Sequence, residues 1–111
     1  MWKWCELLPL PEGVEPVSLG EPETPIIELA KTAAKAGAAS VLVKDEGRLP
    51  TGSFKARGLA MAISMARHFD IKSVALPTNG NAGAALAAYA ARAGMEGVGV
   101  CPAETPKINV R

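Results

Sequence analysis

The sequence predicts an α/β protein built around a parallel sheet. Three observations point there. Short apolar runs rich in β-branched residues alternate with longer helical segments, the order expected of β–α–β units. Glycine and asparagine punctuate the joins between them. One helical segment, 82–93, is almost wholly alanine, which lets a helix backbone lie close against a sheet.

The elements follow in chain order. Residues 1–25 are rich in proline and glutamate and read as an extended arm or loop that is not a packed unit by itself. Ile26 to Ala36 reads as a short helix closed by Gly37, with Lys31 and Lys35 near its end. Val41 to Asp45 is a compact β-branched strand. Gly47 to Gly52 is a turn, after which the Ser53 hydroxyl is placed to cap the next helix. In that helix Phe54, Gly58, Met61 and Met65 recur at helical spacing, widened by Leu59 and Ile63 into an apolar stripe. Ser73 to Pro77 is a second strand, Thr78 to Asn81 a turn, and Ala82 to Ala93 the alanine helix, closed by Gly94. Val98 to Cys101 is a third strand, and 73–77 and 98–101 both read as buried parallel strands. Thr105-Pro106-Lys107 reads as the first turn of a further helix, since proline suits that position.

Composition narrows the function. Hydrophobic residues make up 49% and charged residues 21%, which excludes a disordered tail and a membrane-embedded chain. The net charge is +1 with no block of like charge, so neither nucleic acid nor an anionic membrane is expected as partner. The opening residues, with an acid at Glu6, do not form a signal peptide. Cys5 and Cys101 are far apart and there is no Cys/His cluster, so no metal is expected, and a reducing cytoplasm is the expected compartment. The one histidine, His68, falls at a helix end, where a cation suits the dipole.

Two stretches carry chemistry. The first is Gly52-Ser53-Phe54-Lys55. It fails as a phosphate-cradling P-loop, because Lys55 falls two places late after the glycine. Lys55 instead falls in a helix first turn, where a cation opposes the dipole. No acid lies between Arg48 and Arg67, and Arg57 adds a second positive charge, so the neutral amine is easier to reach. Such an amine can form a Schiff base with an aldehyde. On pattern alone an ordinary surface lysine is the commoner reading. The second stretch, Thr78-Asn79-Gly80-Asn81, leaves a strand and opens a helix at the C-terminal edge of the sheet, where α/β proteins bind ligands. Backbone N–H groups and the dipole there can bind a carboxylate. A plain turn with Asn81 as helix cap is an equal reading.

Lys44-Asp45-Glu46-Gly47, the run Pro50 to Gly58 and the run Thr78 to Gly94 together resemble threonine synthase, a fold-type II pyridoxal-phosphate (PLP) enzyme. Leu19-Gly20-Glu21 followed by Thr24-Pro25 resembles that family's opening segment. The resemblance implies a partial, truncated parallel three-layer αβα sheet of the tryptophan synthase β-like type. It divides the chain into an N-terminal arm and short helix, 1–40, and a partial PLP-binding α/β domain, 41–111. Lys55 would hold PLP as a Schiff base and act as base and acid, and Phe54 would sit beside the ring. Asn81 would bond the phenolic oxygen, and the loop of Thr78, Asn79, Gly80 and Asn81 would bind the substrate carboxylate. The implied reaction converts O-phospho-L-homoserine and water to L-threonine and phosphate. Threonine dehydratase and cysteine synthase carry related loops, and a non-catalytic remnant or split-enzyme half that binds a partner chain is the other alternative. Family chains are several times longer, and a helix starting at Thr105 would be cut at Arg111. The chain is therefore expected to be an N-terminal portion, inactive alone, that needs the missing C-terminal domain or self-association to complete its site. Thr78 and Asn79 stand where the family more often has Ser-Ser or Ser-Thr.

Overall fold

A computed structural model of the chain describes residues 1–105. The helix expected from Thr105-Pro106-Lys107 onward therefore falls outside the described residues, apart from Thr105 itself. Its centre is one β–α–β unit. Strand β3 (Ser73–Pro77) runs parallel to β4 (Glu96–Val100), in register from Ser73↔Glu96 to Pro77↔Val100, and helix α3 (Asn81–Ala93) connects them. Gly94 closes α3 in the left-handed conformation at φ 67°, as its sequence position leads one to expect.

The alanine helix and the glycine strand explain each other. A Cβ built on Gly97 of β4 would lie 3.0 Å from Ala90 Cβ and 3.4 Å from Leu86 Cγ of α3. The helix thus approaches so closely that the strand has no room for a side chain there. Period-two alternation puts Gly97 and Gly99 on the α3 side and turns Val98 and Val100 to the opposite face. Those two valines are 43% and 61% exposed. The expectation of fully buried parallel strands is therefore corrected. Only one face of β3–β4 is covered, with Val74 and Leu76 packed against the core from the same side, and no described residue covers the other.

A second departure lies between residues 26 and 36. Ile26 to Glu28 is not helical but forms strand β1, antiparallel to β2 (Leu42–Lys44), with Ile27 opposite Val43. Helix α1 starts only at Ala30 and ends at Ala36, with Gly37 left-handed at φ 64°. The β-branched pair Ile26-Ile27 finds a β-branched partner across the strands, and that non-local pairing outweighs local helix propensity.

Helix α2 (Lys55–His68) packs along α3. Its buried residues are Ala56, Ala60, Ile63, Ser64 and Ala66, so of the predicted stripe only Ile63 is fully buried. Phe54 and Gly58 are exposed, and Met61 and Met65 are half-buried. Small residues face the partner helix because close helix–helix approach selects them over long ones. The N-terminal arm, after a 3-10 segment at Trp2–Leu7, crosses these helices. Val17 reaches the core at 2% exposure, and its N–H donates to the buried Ser64 Oγ at 2.8 Å. Glu21 accepts from Trp2 Nε1 at 2.7 Å, from Ser18 Oγ at 2.6 Å and from Tyr89 OH at 2.5 Å. An arm with no packing of its own is ordered by what it packs on.

Candidate functional site

The turn ahead of Lys55 is held by Leu49, 3% exposed, and then bends sharply. Thr51 and Gly52 both adopt positive φ, 66° and 67°. For a β-branched threonine this conformation is costly and is tolerated where surrounding structure enforces it. Ser53 is extended and Phe54 is the N-cap of α2. Ser53 does not cap the helix. Its Oγ is buried without a hydrogen-bond partner among the described residues, so the predicted cap is corrected: the helix starts one residue later than a capping serine requires.

Lys55 is the first residue of α2 and is exposed. Its ammonium nitrogen lies 4.5 Å from the centroid of the Phe54 ring, a cation–π contact at the surface. Phe54 itself is 59% exposed. An amine and an open aromatic face thus stand side by side at the end of a strained turn.

Arg57 does not stand beside Lys55 as an unpaired cation. Its guanidinium grips Glu46, Nε donating to Oε2 and Nη2 to Oε1 at 2.9 Å. The Arg57 hydrogen bond holds the Glu46 carboxyl down at about 2 against burial, which opposes it, and a hydrogen bond from Thr24 adds to the effect. The sequence argument that Arg57 repels the neighbouring amine is corrected accordingly, since an acid from outside α2 offsets its charge.

The second loop is organised by Thr78. Its N–H donates to Val100 O at 2.8 Å, extending the β3–β4 ladder. Its Oγ1 accepts from the N–H of Gly80 at 3.2 Å and of Gly83 at 2.9 Å. Gly83 is required here, because a Cβ on it would sit 2.8 Å from Thr78 Cγ2. Asn81 is the first residue of α3 and makes no side-chain cap; the cap position belongs to Gly80. Reading Asn81 as a helix cap is thus corrected, and its side chain is exposed. The N–H groups of Asn81 and Ala82 have no acceptor within the helix, as at any helix start, and they lie at the positive end of its dipole.

The two loops belong to one packed assembly. The helices that begin at Lys55 and at Asn81 pack on each other, and the turn Pro50–Gly52 that delivers Lys55 also contacts α3. The residues to which the sequence assigned no role are Thr24, Glu46, Tyr89, Glu21 and Ser64. The clue available for Glu46 was Arg57, a cation on a helix with no acid of its own. A cavity of about 680 Å³ lies apart from both loops, lined by the arm from Trp2 to Pro16. No described helix is long and apolar enough to cross a membrane.

Comparison with known proteins matches residues 17–111 to the family described as pyridoxal-phosphate dependent enzyme. Threonine synthase of Methanosarcina acetivorans is 41% identical over 103 residues, covering 93% of this chain and 25% of that protein. Threonine synthase of Synechocystis sp. is 43% identical over 96 residues, covering 86% of this chain and 25% of that protein. The crystal structure of diaminopropionate ammonia lyase from Escherichia coli, in complex with an aminoacrylate–PLP azomethine reaction intermediate, superposes with a TM-score of 0.72 at 27% identity. That match covers 84% of this chain and 28% of the lyase. The expected fold class is borne out by the family match and this superposition. The chain spans about a quarter of the length of the curated relatives it matches.

Proposed function

The chain belongs to the family of pyridoxal-phosphate dependent enzymes, and on that premise we propose that it supplies the lysine half of a threonine synthase site. The reaction is conversion of O-phospho-L-homoserine and water to L-threonine and phosphate. The observation that carries the reading is the exposed Lys55 amine beside the open face of Phe54, at the start of a helix packed on α3. Identity of 35–43% to threonine synthases, against 27% to the ammonia lyase, favours this substrate class over the lyase's.

The residues fit the cofactor. Lys55 provides a primary amine that is open to solvent, and Phe54 a flat apolar surface next to it. Asn81 presents an amide that would donate to the cofactor's phenolic oxygen. When bound, PLP supplies the aldehyde that bonds to the lysine and a ring that delocalises the electron pair left on a substrate carbon. Lys55 Nζ would be the group that takes and returns a proton. The loop Thr78 to Asn81 with the start of α3 holds the substrate carboxylate. Its donors are the first N–H groups of the helix, because those of Thr78 and Gly80 already serve Val100 O and Thr78 Oγ1. The rest of the site, including the phosphate cradle, comes from outside these residues, from a further domain or a second chain, and residues 41–111 form part of the cofactor-binding domain. A cytoplasmic setting accords with such a biosynthetic role.

The test is to add PLP, reduce with borohydride and map the modified peptide. Lys55 is expected to carry the label and Lys55→Ala to abolish it. A label spread evenly over the exposed lysines would refute the assignment. Turnover of O-phospho-L-homoserine by a protein containing this segment, lost in Lys55→Ala, tests the substrate.

A further inference from the structure

The direction in which Lys55 leaves its helix is set by its two neighbours. Successive residues on an α-helix point about 100° apart. Ala56, fully buried, faces the core. Arg57, about 100° further round, is locked by two hydrogen bonds onto Glu46, in the turn that follows β2. The lock is closed by a third group. Thr24, 5% exposed, donates its hydroxyl to Glu46 Oε1 at 2.5 Å and accepts from Arg57 Nη2 at 3.3 Å. Its carbonyl accepts from Lys44 Nζ at 3.0 Å. Three segments distant in sequence thus meet on one guanidinium in the first turn of α2.

We infer that Glu46, Arg57 and Thr24 are positioning residues for Lys55: together with Ala56 they fix the rotation of the first turn of α2 and so aim the lysine amine. The inference rests on the reading of Lys55 as the cofactor lysine. In the first turn of α2 the one buried side chain is the methyl group of Ala56, so the turn is held on its other side by the polar anchor at Arg57. A two-point contact to a planar guanidinium resists rotation in a way that a single hydrogen bond does not.

The experiment measures label position rather than turnover. The full chain is treated with PLP, reduced with borohydride, and the label on Lys55 is quantified against that on the exposed Lys31 and Lys35 of α1. Wild type is expected to favour Lys55. Glu46→Gln and Arg57→Ala are expected to lower the Lys55 ratio by about tenfold, a part of the roughly hundredfold that a misplacement of about 1 Å can cost a reacting group. The exchanged pair, Glu46→Arg with Arg57→Glu, is expected to recover part of it. Arg48→Ala, which breaks only the exposed pair with Asp45, is expected to leave it unchanged. Circular dichroism restricts the comparison to folded samples. If Glu46→Gln does not fold, Thr24→Val decides, with an expected loss of about threefold from the missing hydroxyl bonds. An unchanged ratio in a folded Glu46→Gln or Thr24→Val chain overturns the positioning role and leaves the cofactor assignment standing. A wild-type chain without preference for Lys55 removes both.

Discussion

Gly83→Ala tests whether the second loop is shaped by the close contact between Thr78 and α3. A Cβ at position 83 would lie 2.8 Å from Thr78 Cγ2, about 0.7 Å inside the distance at which two carbons settle. Relief requires Thr78 to move, and Thr78 is tied by its N–H to Val100 O and by its Oγ1 to two helix-start N–H groups. Overpacking of this kind costs about 1–3 kcal/mol, and disturbing the 2.9 Å bond to the Gly83 N–H adds about 1 kcal/mol. Alanine is favoured over glycine in a helix by about 1 kcal/mol. The net expectation is a loss of about 1–3 kcal/mol. Thr78→Ser removes Cγ2 but keeps the oxygen, which the new Cβ would meet at a tolerable 3.4 Å. In the Thr78→Ser background, Gly83→Ala should therefore be neutral or stabilising. Urea unfolding of the four chains gives the coupling directly, and it should exceed about 1.5 kcal/mol. A Gly83→Ala chain as stable as wild type, or a cost that persists without Cγ2, would refute the steric account of the loop.

Further outcomes follow from the polar anchors. Glu21 is held at about 2, below its ordinary 4.5: burial would raise it, but hydrogen bonds from Ser18, Tyr89, the Leu19 N–H and Trp2 win. Glu46 is held at about 2 by Arg57. Both carboxylates thus stabilise the fold fully above about pH 4.5 and lose that contribution as pH falls toward 2. Acid titration followed by circular dichroism should show this loss, and a chain with both Glu21→Gln and Glu46→Gln should show a flatter profile. Ser64→Ala strands the Val17 N–H in the core and should cost about 1–3 kcal/mol in thermal or urea unfolding, with faster hydrogen exchange at Val17 as its local signature. Ser53→Ala removes a buried hydroxyl that has no partner among the described residues, so it should be neutral or slightly stabilising; a large loss would mean the hydroxyl is bonded in solution.

What could be read from the sequence divides along local and non-local physics. The central unit was legible to within a residue or two: β3, the ends of α1 and α3 at Gly37 and Gly94, and both chemistry-bearing loops. Each is announced by local signals, a β-branched run or a glycine whose positive φ ends a helix. What failed depends on partners far along the chain. Ile26-Ile27 became a strand because Lys44 and Val43 lie opposite. The face of α2 was misassigned because α3 selects small residues, so that hydrophobicity ranked Phe54 and Met61 above Ala56 and Ala60. Val98 and Val100 were placed inside because an apolar strand gives no sign of whether both its faces are covered.

The same division runs through the candidate site. Lys55 and Asn81 are visible because their loops have a distinctive local grammar, but what orients them is not. Glu46 lies eleven residues from Arg57 and Thr24 thirty-three, separations at which sequence gives no register. Polar anchoring is also chemically ambiguous in sequence. Arg57 looked like a charge acting on Lys55, whereas in the fold Glu46 absorbs that charge and Arg57 works by geometry. On the proposed reading, the amine at this helix start needs a fixed direction, since misaimed by about an ångström it would lose its advantage over Lys31. The distant acid, the hydroxyl at Thr24 and the strained turn at Thr51 are thus as much a part of the lysine's chemistry as the motif that first marks it.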